Sequence, residues 1–558
     1  MVPSLCAASI ALSWLIPNHY LPWTAAWPDS LALTGLCLLA LWSGLLLEGP
    51  TRLSRPLLMA AALAFGSVLV QSASGKILFI GDALLAAAYL AAWGIAVLTG
   101  HRIASSPAGD TVQEALFNAW LFVAISSVGV GLVQWTGALG STVYIVDLPP
   151  AGNPWANVAQ TSHFSTICFI GLCSLGCLHQ RQRVGLAVFG LAAVFLMVGM
   201  VSSGSRTAWL QMACLIAWLS VYRSSKTLRL PRMFLGGLAT TFIALVIAWP
   251  GIADAALLSS GRLRDDQLSS GFRVRHWAMM LDAIGREPWL GYGWQQVSVA
   301  QQAVALDHPA IGEYIESSHN LLLDLMLWNG IPVGLAIGAL LIFWFLSRAR
   351  RCADAHSAWL LGAIGGLFVH AMVEFPLEYA YFLIPFGLLM GMVDAAMPSL
   401  AGWRVGRGAL LGITLLTSLV LFGIARDYFR AEENHRVLRL ESARIGVDSL
   451  VTPAPQLALL DQLEAFLLFA RIEPRPGLPA AELALMQTVA SRYGTPAVLL
   501  NYAIASGLNG RPDLAELTLA RLCRIHRAEQ CSAMLLRWKA TVQLIHPQLG
   551  SIPIPALR

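Results

Sequence analysis

The residues of this chain best suited to chemistry gather at Glu316-Ser-Ser-His-Asn320, where a long polar stretch gives way to an apolar run beginning at Leu321. Arg262, Arg264, Arg273 and Arg275 precede it on the same polar stretch. An imidazole is the side chain that titrates nearest neutral pH. A guanidinium stays charged and offers a planar fork that matches phosphate oxygens. One titratable base beside several fixed cations, where a loop meets a bilayer, points to the handling of a lipid-linked phosphate. Asn320 or Ser318 caps the helix that starts near Leu321 better than a histidine does, which leaves the His319 ring available for proton transfer.

Arg273 stands four residues before Trp277, so the two share a helix face. Arg275 falls on a different face and is the rival phosphate ligand; Arg273 is preferred. Arg206 sits in Ser202-Ser-Gly-Ser-Arg-Thr207, a short turn between two apolar runs whose small residues leave hydroxyl and N–H donors for an anion. The plainer alternative for each is a solvated loop arginine or one that snorkels to headgroups. His370 and Glu374, one helical turn apart, and the patch Asn157, Gln160 and His163 are further polar groups at span ends, as are Gln71 and Asp82. The chain has no HExxH, cysteine cluster or His/carboxylate ligand set, so neither a metal nor another cofactor is expected.

The elements that must hold these residues follow from composition. Of 558 residues 57% are hydrophobic and 12% charged, about half the charge of a soluble domain, and mean hydropathy is +0.65. The expected fold is therefore an all-α polytopic membrane protein with thirteen spans: 1–16, 31–47, 57–72, 77–99, 115–136, 156–178, 184–202, 206–222, 233–253, 320–347, 357–373, 380–397 and 408–424. Met1 leads straight into apolar sequence, without the basic segment of a cleavable signal peptide. Basic residues occupy alternate connections: Arg52 and Arg55; Arg102; Arg181 and Arg183; Arg223, Lys226, Arg229 and Arg232; Arg348, Arg350 and Arg351; Arg404 and Arg407. The positive-inside rule makes these cytoplasmic. It places the N-terminus inside, with the loop 254–319 and everything after Leu421 outside. Arginines kept in that outer loop against the charge bias are best explained by function.

Residues 1–424 form the expected membrane body. Within its loop, Gly271–Arg286 reads as an amphipathic helix with Phe272, Trp277, Met280, Leu281 and Ile284 on one face. Pro288 stops it, and Gly291-Tyr-Gly-Trp294 makes a turn. Residues 425–558 form a polar helical domain outside. Tyr493–Ala505 and Pro512–Cys523, joined at Asn509-Gly510, read as a helical hairpin like one tetratricopeptide unit, suited to contacts with an acceptor protein. Of nine cysteines, Cys523 and Cys531 alone fall in the outer domain; whether they pair is left open. The net charge of +5 reflects the loop arginines, and without a basic tract interleaved with aromatics nucleic acid is excluded as a partner.

With these residues in place, the chain resembles the bacterial O-oligosaccharyltransferases that glycosylate pilins and other periplasmic proteins (the PglL/PilO type), within the O-antigen ligase/polymerase superfamily. The resemblance runs through Pro17-Asn-His-Tyr-Leu-Pro-Trp23, Gln71-Ser-Ala-Ser-Gly75 with Gly81-Asp82, and Asn157-Val-Ala-Gln160 with His163. Thr161-Ser162 stands where the family has Pro-Asn. It continues through Ser205-Arg-Thr-Ala208, Arg273 with Trp277, Pro288 with Gly291 and Gly293, Ser318-His-Asn320, His370 with Glu374-Phe-Pro-Leu377, and Asp427-Tyr428.

The resemblance implies a polyprenyl-diphosphate oligosaccharide donor, transfer to a hydroxyl outside the inner membrane without a metal, and essential roles for Arg206, Arg273 and His319. The residues support the same chemistry. Two guanidiniums meet the charge on the departing diphosphate, so no general acid is needed, and His319 removes the proton of the acceptor hydroxyl. Arg275, Asn157, Gln160, His163, His370, Glu374 and Asn320 are the expected substrate-binding residues. The nearest rival keeps the chemistry and takes a glycan acceptor, as an O-antigen polymerase or ligase. A transporter of lipid-linked sugars is disfavoured, because the polar residues gather at span ends and no repeated half is present.

Overall fold

The computed structural model describes residues 1–48, 51–148, 152–222, 230–256, 271–397, 401–445 and 452–555. Arg223, Lys226, Arg229, Arg262 and Arg264 lie outside the described residues, as do the side chains of Arg232 and Phe272. In chain order the helices are α1 (Val2–Leu12), α2 (Ala26–Leu46), α3 (Arg55–Ala73), α4 (Ile80–Ser105), α5 (Gly109–Thr136), α6 (Thr161–Gln180), α7 (Leu186–Ser202), α8 (Arg206–Tyr222), α9 (Arg232–Ala255), α10 (Gly271–Arg286) and α11 (Val297–Val304). They continue with α12 (Leu321–Arg350), α13 (Ala355–Ala371), α14 (Ala380–Ala396), α15 (Arg407–Ser442), α16 (Asp461–Phe469), α17 (Ala480–Arg492), α18 (Pro496–Leu508), α19 (Pro512–Ile525) and α20 (Ala528–Leu544). Each of the thirteen expected spans overlaps one of these helices. Among the described residues, eight helices are long and apolar enough to cross a membrane, and α7, α13 and α14 are apolar but shorter. The chain is an all-α polytopic membrane protein.

The chain divides into two compact units that interleave in sequence: 1–62, 88–268 and 339–421 in the first, 63–87, 269–338 and 422–558 in the second. The boundary expected at 424 thus falls inside the continuous helix α15. The second unit draws on two earlier segments as well as the tail.

In the first unit, α6 is the central helix, buried along nearly its whole length. Two four-residue strands, Thr51–Ser54 and Gly402–Val405, pair antiparallel at one end, Thr51 opposite Val405. Several basic connections meet at that end. Arg102 donates to the carbonyls of Ser43 and Leu47, and Arg407 to that of Leu45 at 2.7 Å. Buried Arg348 pairs with Asp394, which also accepts from Trp344 Nε1 at 3.0 Å and the Ser54 N–H at 2.9 Å. A buried charge held this way has its lone pairs filled, which offsets its desolvation.

In the second unit, the motif Pro288-x-x-Gly291-x-Gly293 finds a structural reason. Pro332 has no N–H and its ring bars an ordinary helical bond to Trp328, and α12 breaks at Gly330 (φ 76°, ψ 168°). The carbonyls freed at Leu327 and Trp328 accept the N–H groups of Tyr292 (2.7 Å) and Gly293 (3.1 Å), and Ile331 N–H donates to the Pro288 carbonyl (2.7 Å). The two turns interlock so closely that a Cβ on Gly291 would stand 2.5 Å from the Leu327 carbonyl oxygen and 2.6 Å from the Gly330 nitrogen. Rigid backbone cannot yield there, and Gly291 has φ 67°. Gly291→Ala is expected to cost about 2–4 kcal/mol of stability from strain and overpacking together, read as a lowered melting temperature of the detergent-purified protein.

The tail is helical as expected, with α18 and α19 forming the hairpin and Cys523 joined to Cys531 in a disulfide. Arg492, at the end of α17, is buried against Asp82 in a two-point pair at 2.8 and 3.3 Å.

Candidate active site

The segment leading to His319 is anchored almost residue by residue within the second unit. Gln301 donates to the Glu313 carbonyl (2.7 Å) and accepts from the Ile315 N–H (3.1 Å). Tyr314 donates to the Arg492 carbonyl (3.2 Å), and Glu316 lies 3.9 Å from the Arg492 guanidinium. Ser317 Oγ donates to Asp324 Oδ2 (2.9 Å) and the Ser318 N–H to Asp324 Oδ1 (2.7 Å). Asn320 Oδ1 accepts the N–H groups of Leu322 (3.1 Å) and Leu323 (3.2 Å), so the asparagine, and not the histidine, caps α12.

His319 has a left-handed backbone, φ 56°, which costs a non-glycine residue about 1–3 kcal/mol. Its N–H donates to Ser317 Oγ at 3.2 Å, and its side chain is half-buried. Trp277 Nε1 donates to the Ser318 carbonyl at 3.0 Å, fastening α10 to the loop. Arg273, one turn earlier on α10, is half-buried, while Arg275 is exposed.

The buried stripe of α10 is rotated from the expected one. Met280 and Ile284 are buried as expected, but Leu281 is 56% exposed, and Met279 and Ala283 complete the inner face. His276 lies on that face, fully buried, its ring edge-on to that of His319 with centroids 6.2 Å apart. Burial, then the neighbouring His319, push the His276 imidazole down to about 4, against the opposing pull of the Ser317 and Ser318 backbone; Arg273 adds a smaller lowering. His276 is therefore neutral at physiological pH.

A pH dependence follows. The unfolded chain protonates this ring near the ordinary histidine value of about 6.5, the folded one only near 4. Between those values the unfolded state binds more protons, so stability falls as pH drops through this window. His276→Gln is expected to flatten the fall in melting temperature from about pH 7 to 4.5; an unchanged slope would mean His276 carries none of it.

The remaining expected residues lie in the first unit. Arg206 is the exposed first residue of α8, after a turn in which the Thr207 N–H donates to Ser205 Oγ at 3.3 Å. The positive end of the α8 dipole adds to the cation's pull on an anion. Asn157 is buried and spent on loop structure: its amide donates to the carbonyls of Leu15 (2.8 Å) and Tyr144 (3.0 Å) and accepts from Val146 N–H (3.3 Å). Gln160 donates to Tyr379 Oη at 3.3 Å. His163 and His370 are fully buried, rings 5.4 Å apart. His163 shares a hydrogen bond with Tyr381 Oη (3.1 Å) and His370 with Thr166 Oγ1 (2.8 Å). The half-buried Glu374 follows, its N–H on the His370 carbonyl at 2.8 Å.

The structure thus gathers His319, Asn320, Arg273 and Trp277 in one unit, and Asn157, Gln160, His163, His370 and Glu374 in the other, which also contains Arg206. Two neighbours of His319 escape a sequence reading. His276 needed the true phase of α10. Asp324 left one trace, a lone carboxylate in an apolar run.

Residues 191–338 match a family model described as O-Antigen ligase, and residues 358–540 one described as Virulence factor membrane-bound polymerase, C-terminal. A General O-oligosaccharyltransferase of Acinetobacter baylyi is 28% identical over 541 residues, 94% of this chain and 92% of the relative. The chain is a glycosyltransferase similar to the O-oligosaccharyltransferases. A ComP-specific O-oligosaccharyltransferase of the same organism is 27% identical over 330 residues, 59% of each chain. No solved structure gives a significant match. In this transferase the ligase match takes in Arg206, Arg273, Arg275, His319, Asn320 and Asp324, and the polymerase match His370 and Glu374.

Proposed function

We propose that the transferase moves an oligosaccharide en bloc from a polyprenyl-diphosphate carrier to serine or threonine hydroxyls of periplasmic proteins such as pilin. The observation that supports this best is His319 itself: a half-buried imidazole, held in a left-handed turn at the start of an apolar helix, on a loop fastened to the helix that carries Arg273. The acceptor hydroxyl is a poor nucleophile until its proton is drawn away. His319 takes that proton as the oxygen attacks the anomeric carbon and the carbon–oxygen bond to the diphosphate breaks. Arg273, with Arg206 assigned as the second guanidinium, meets the charge left on the carrier. A single displacement inverts the anomeric centre, and no general acid is required, unlike hydrolysis of an ordinary glycoside.

In this reading the protein sits in the inner membrane of a Gram-negative bacterium with its N-terminus cytoplasmic. The 254–319 loop and the helical tail after 425 face the periplasm, where the tail engages the acceptor. The match to an O-antigen ligase model supports a second reading, in which the acceptor is a glycan. Coexpression with a pilin and a lipid-linked glycan, followed by intact-mass measurement of the pilin, separates the two. A glycan-sized mass increase on the pilin is the expected result. An unmodified pilin, with the same glycan appearing on lipid A-core or as a longer polymer, would favour the second reading.

A further inference from the structure

We propose that Asp324 is a positioning residue for His319, acting through the two serines that precede it; this rests on His319 being the base. Asp324 is 2% exposed and stands in the first turn of α12, where the helix start favours an anion. Both its oxygens point back along the chain. Oδ2 accepts from Ser317 Oγ at 2.9 Å and Oδ1 from the Ser318 N–H at 2.7 Å. With its proton given to the carboxylate, Ser317 Oγ is oriented to accept from the His319 N–H, at 3.2 Å. Ser318 Oγ in turn donates to the Asn320 carbonyl at 3.0 Å.

The left-handed backbone at His319 therefore follows two residues that one carboxylate holds, one of which accepts the His319 N–H. An asparagine there keeps the volume but offers one acceptor oxygen for two donors, and its amide group would face a donor. The loop then loses what offsets its strain and relaxes toward an ordinary backbone, swinging the imidazole off its line. A misplacement of about 1 Å is enough to slow a reaction about 100-fold.

The test is a double-mutant cycle in the purified full-length transferase, with radiolabelled lipid-linked donor and an acceptor pilin. Asp324→Asn is expected to lower kcat about 10- to 100-fold with the donor KM changed less than about twofold. In a His319→Ala background the same substitution should change the residual rate less than about twofold, because a residue acting through His319 has nothing left to position. Ser317→Ala, a milder change, should lower kcat with the melting temperature nearly kept, and it decides the matter should Asp324→Asn not fold. An unchanged kcat in Asp324→Asn, or in Ser317→Ala, would overturn the proposal. So would an equal loss from Asp324→Asn with and without His319, which would give the carboxylate a merely structural or independent role. If His319→Ala alone transfers at the wild-type rate, the base assignment itself has failed, a result separate from the behaviour of Asp324→Asn.

Discussion

His319→Ala transfers glycan about 10²–10⁴-fold more slowly than the wild-type transferase, the usual worth of a general base, while protein level and donor binding stay nearly unchanged. The separation of effects follows from position. The imidazole is half-buried, its ring does not cap α12, and Asn320 does. Alanine meets the same left-handed backbone that histidine already tolerates, so the substitution removes the base without a new demand on the fold. Single-turnover transfer with radiolabelled donor, alongside a donor-binding measurement, checks both halves. Near-wild-type transfer would remove histidine from the chemistry.

Arg273→Ala is expected to lower kcat about 10²–10³-fold, the loss seen when one donor to a developing charge is removed. Arg273→Lys should regain only a minor part, because an ammonium lacks the planar fork that grips two phosphate oxygens. Arg275 provides the internal comparison: it is exposed, and α10 directs it away from the Trp277 face. Arg275→Lys should therefore change kcat less than about twofold, as exposed substitutions commonly do. Unchanged transfer in Arg273→Lys with loss in Arg275→Lys would move the clamp to Arg275.

The helices were legible because an apolar run of membrane-spanning length has few other fates. A cap at Asn320 or Ser318 and the stop at Pro288 were legible because each is a local device, readable within a turn of chain; the structure selects Asn320. What could not be read depends on partners far along the sequence. Span 320–347 reads as one continuous helix, and its residues Asn329-Gly-Ile-Pro332 do announce a weak point. That the turn at Gly291 inserts there is set by backbone groups some forty residues apart, which no local pattern encodes.

The same limit explains α10. Its apolar residues allow two neighbouring phases, and only packing chooses the one that buries His276 and exposes Leu281. Asp324 escaped for a related reason: a carboxylate in an apolar run announces itself, but its two partners lie in the preceding loop. The domain boundary expected at 424 lies where hydropathy changes, whereas α15 continues through it, and segments 63–87 and 269–338 belong with the tail.

The claim that His319 takes the acceptor's proton is tested most directly by replacing the imidazole with a free one. His319→Gly leaves a cavity of the right shape and relaxes a backbone that glycine adopts without strain. Imidazole added to this variant should restore transfer saturably, in proportion to the neutral form of the base, without affecting the wild-type enzyme. A variant that folds, binds the donor and gains nothing from imidazole at any pH would contradict it.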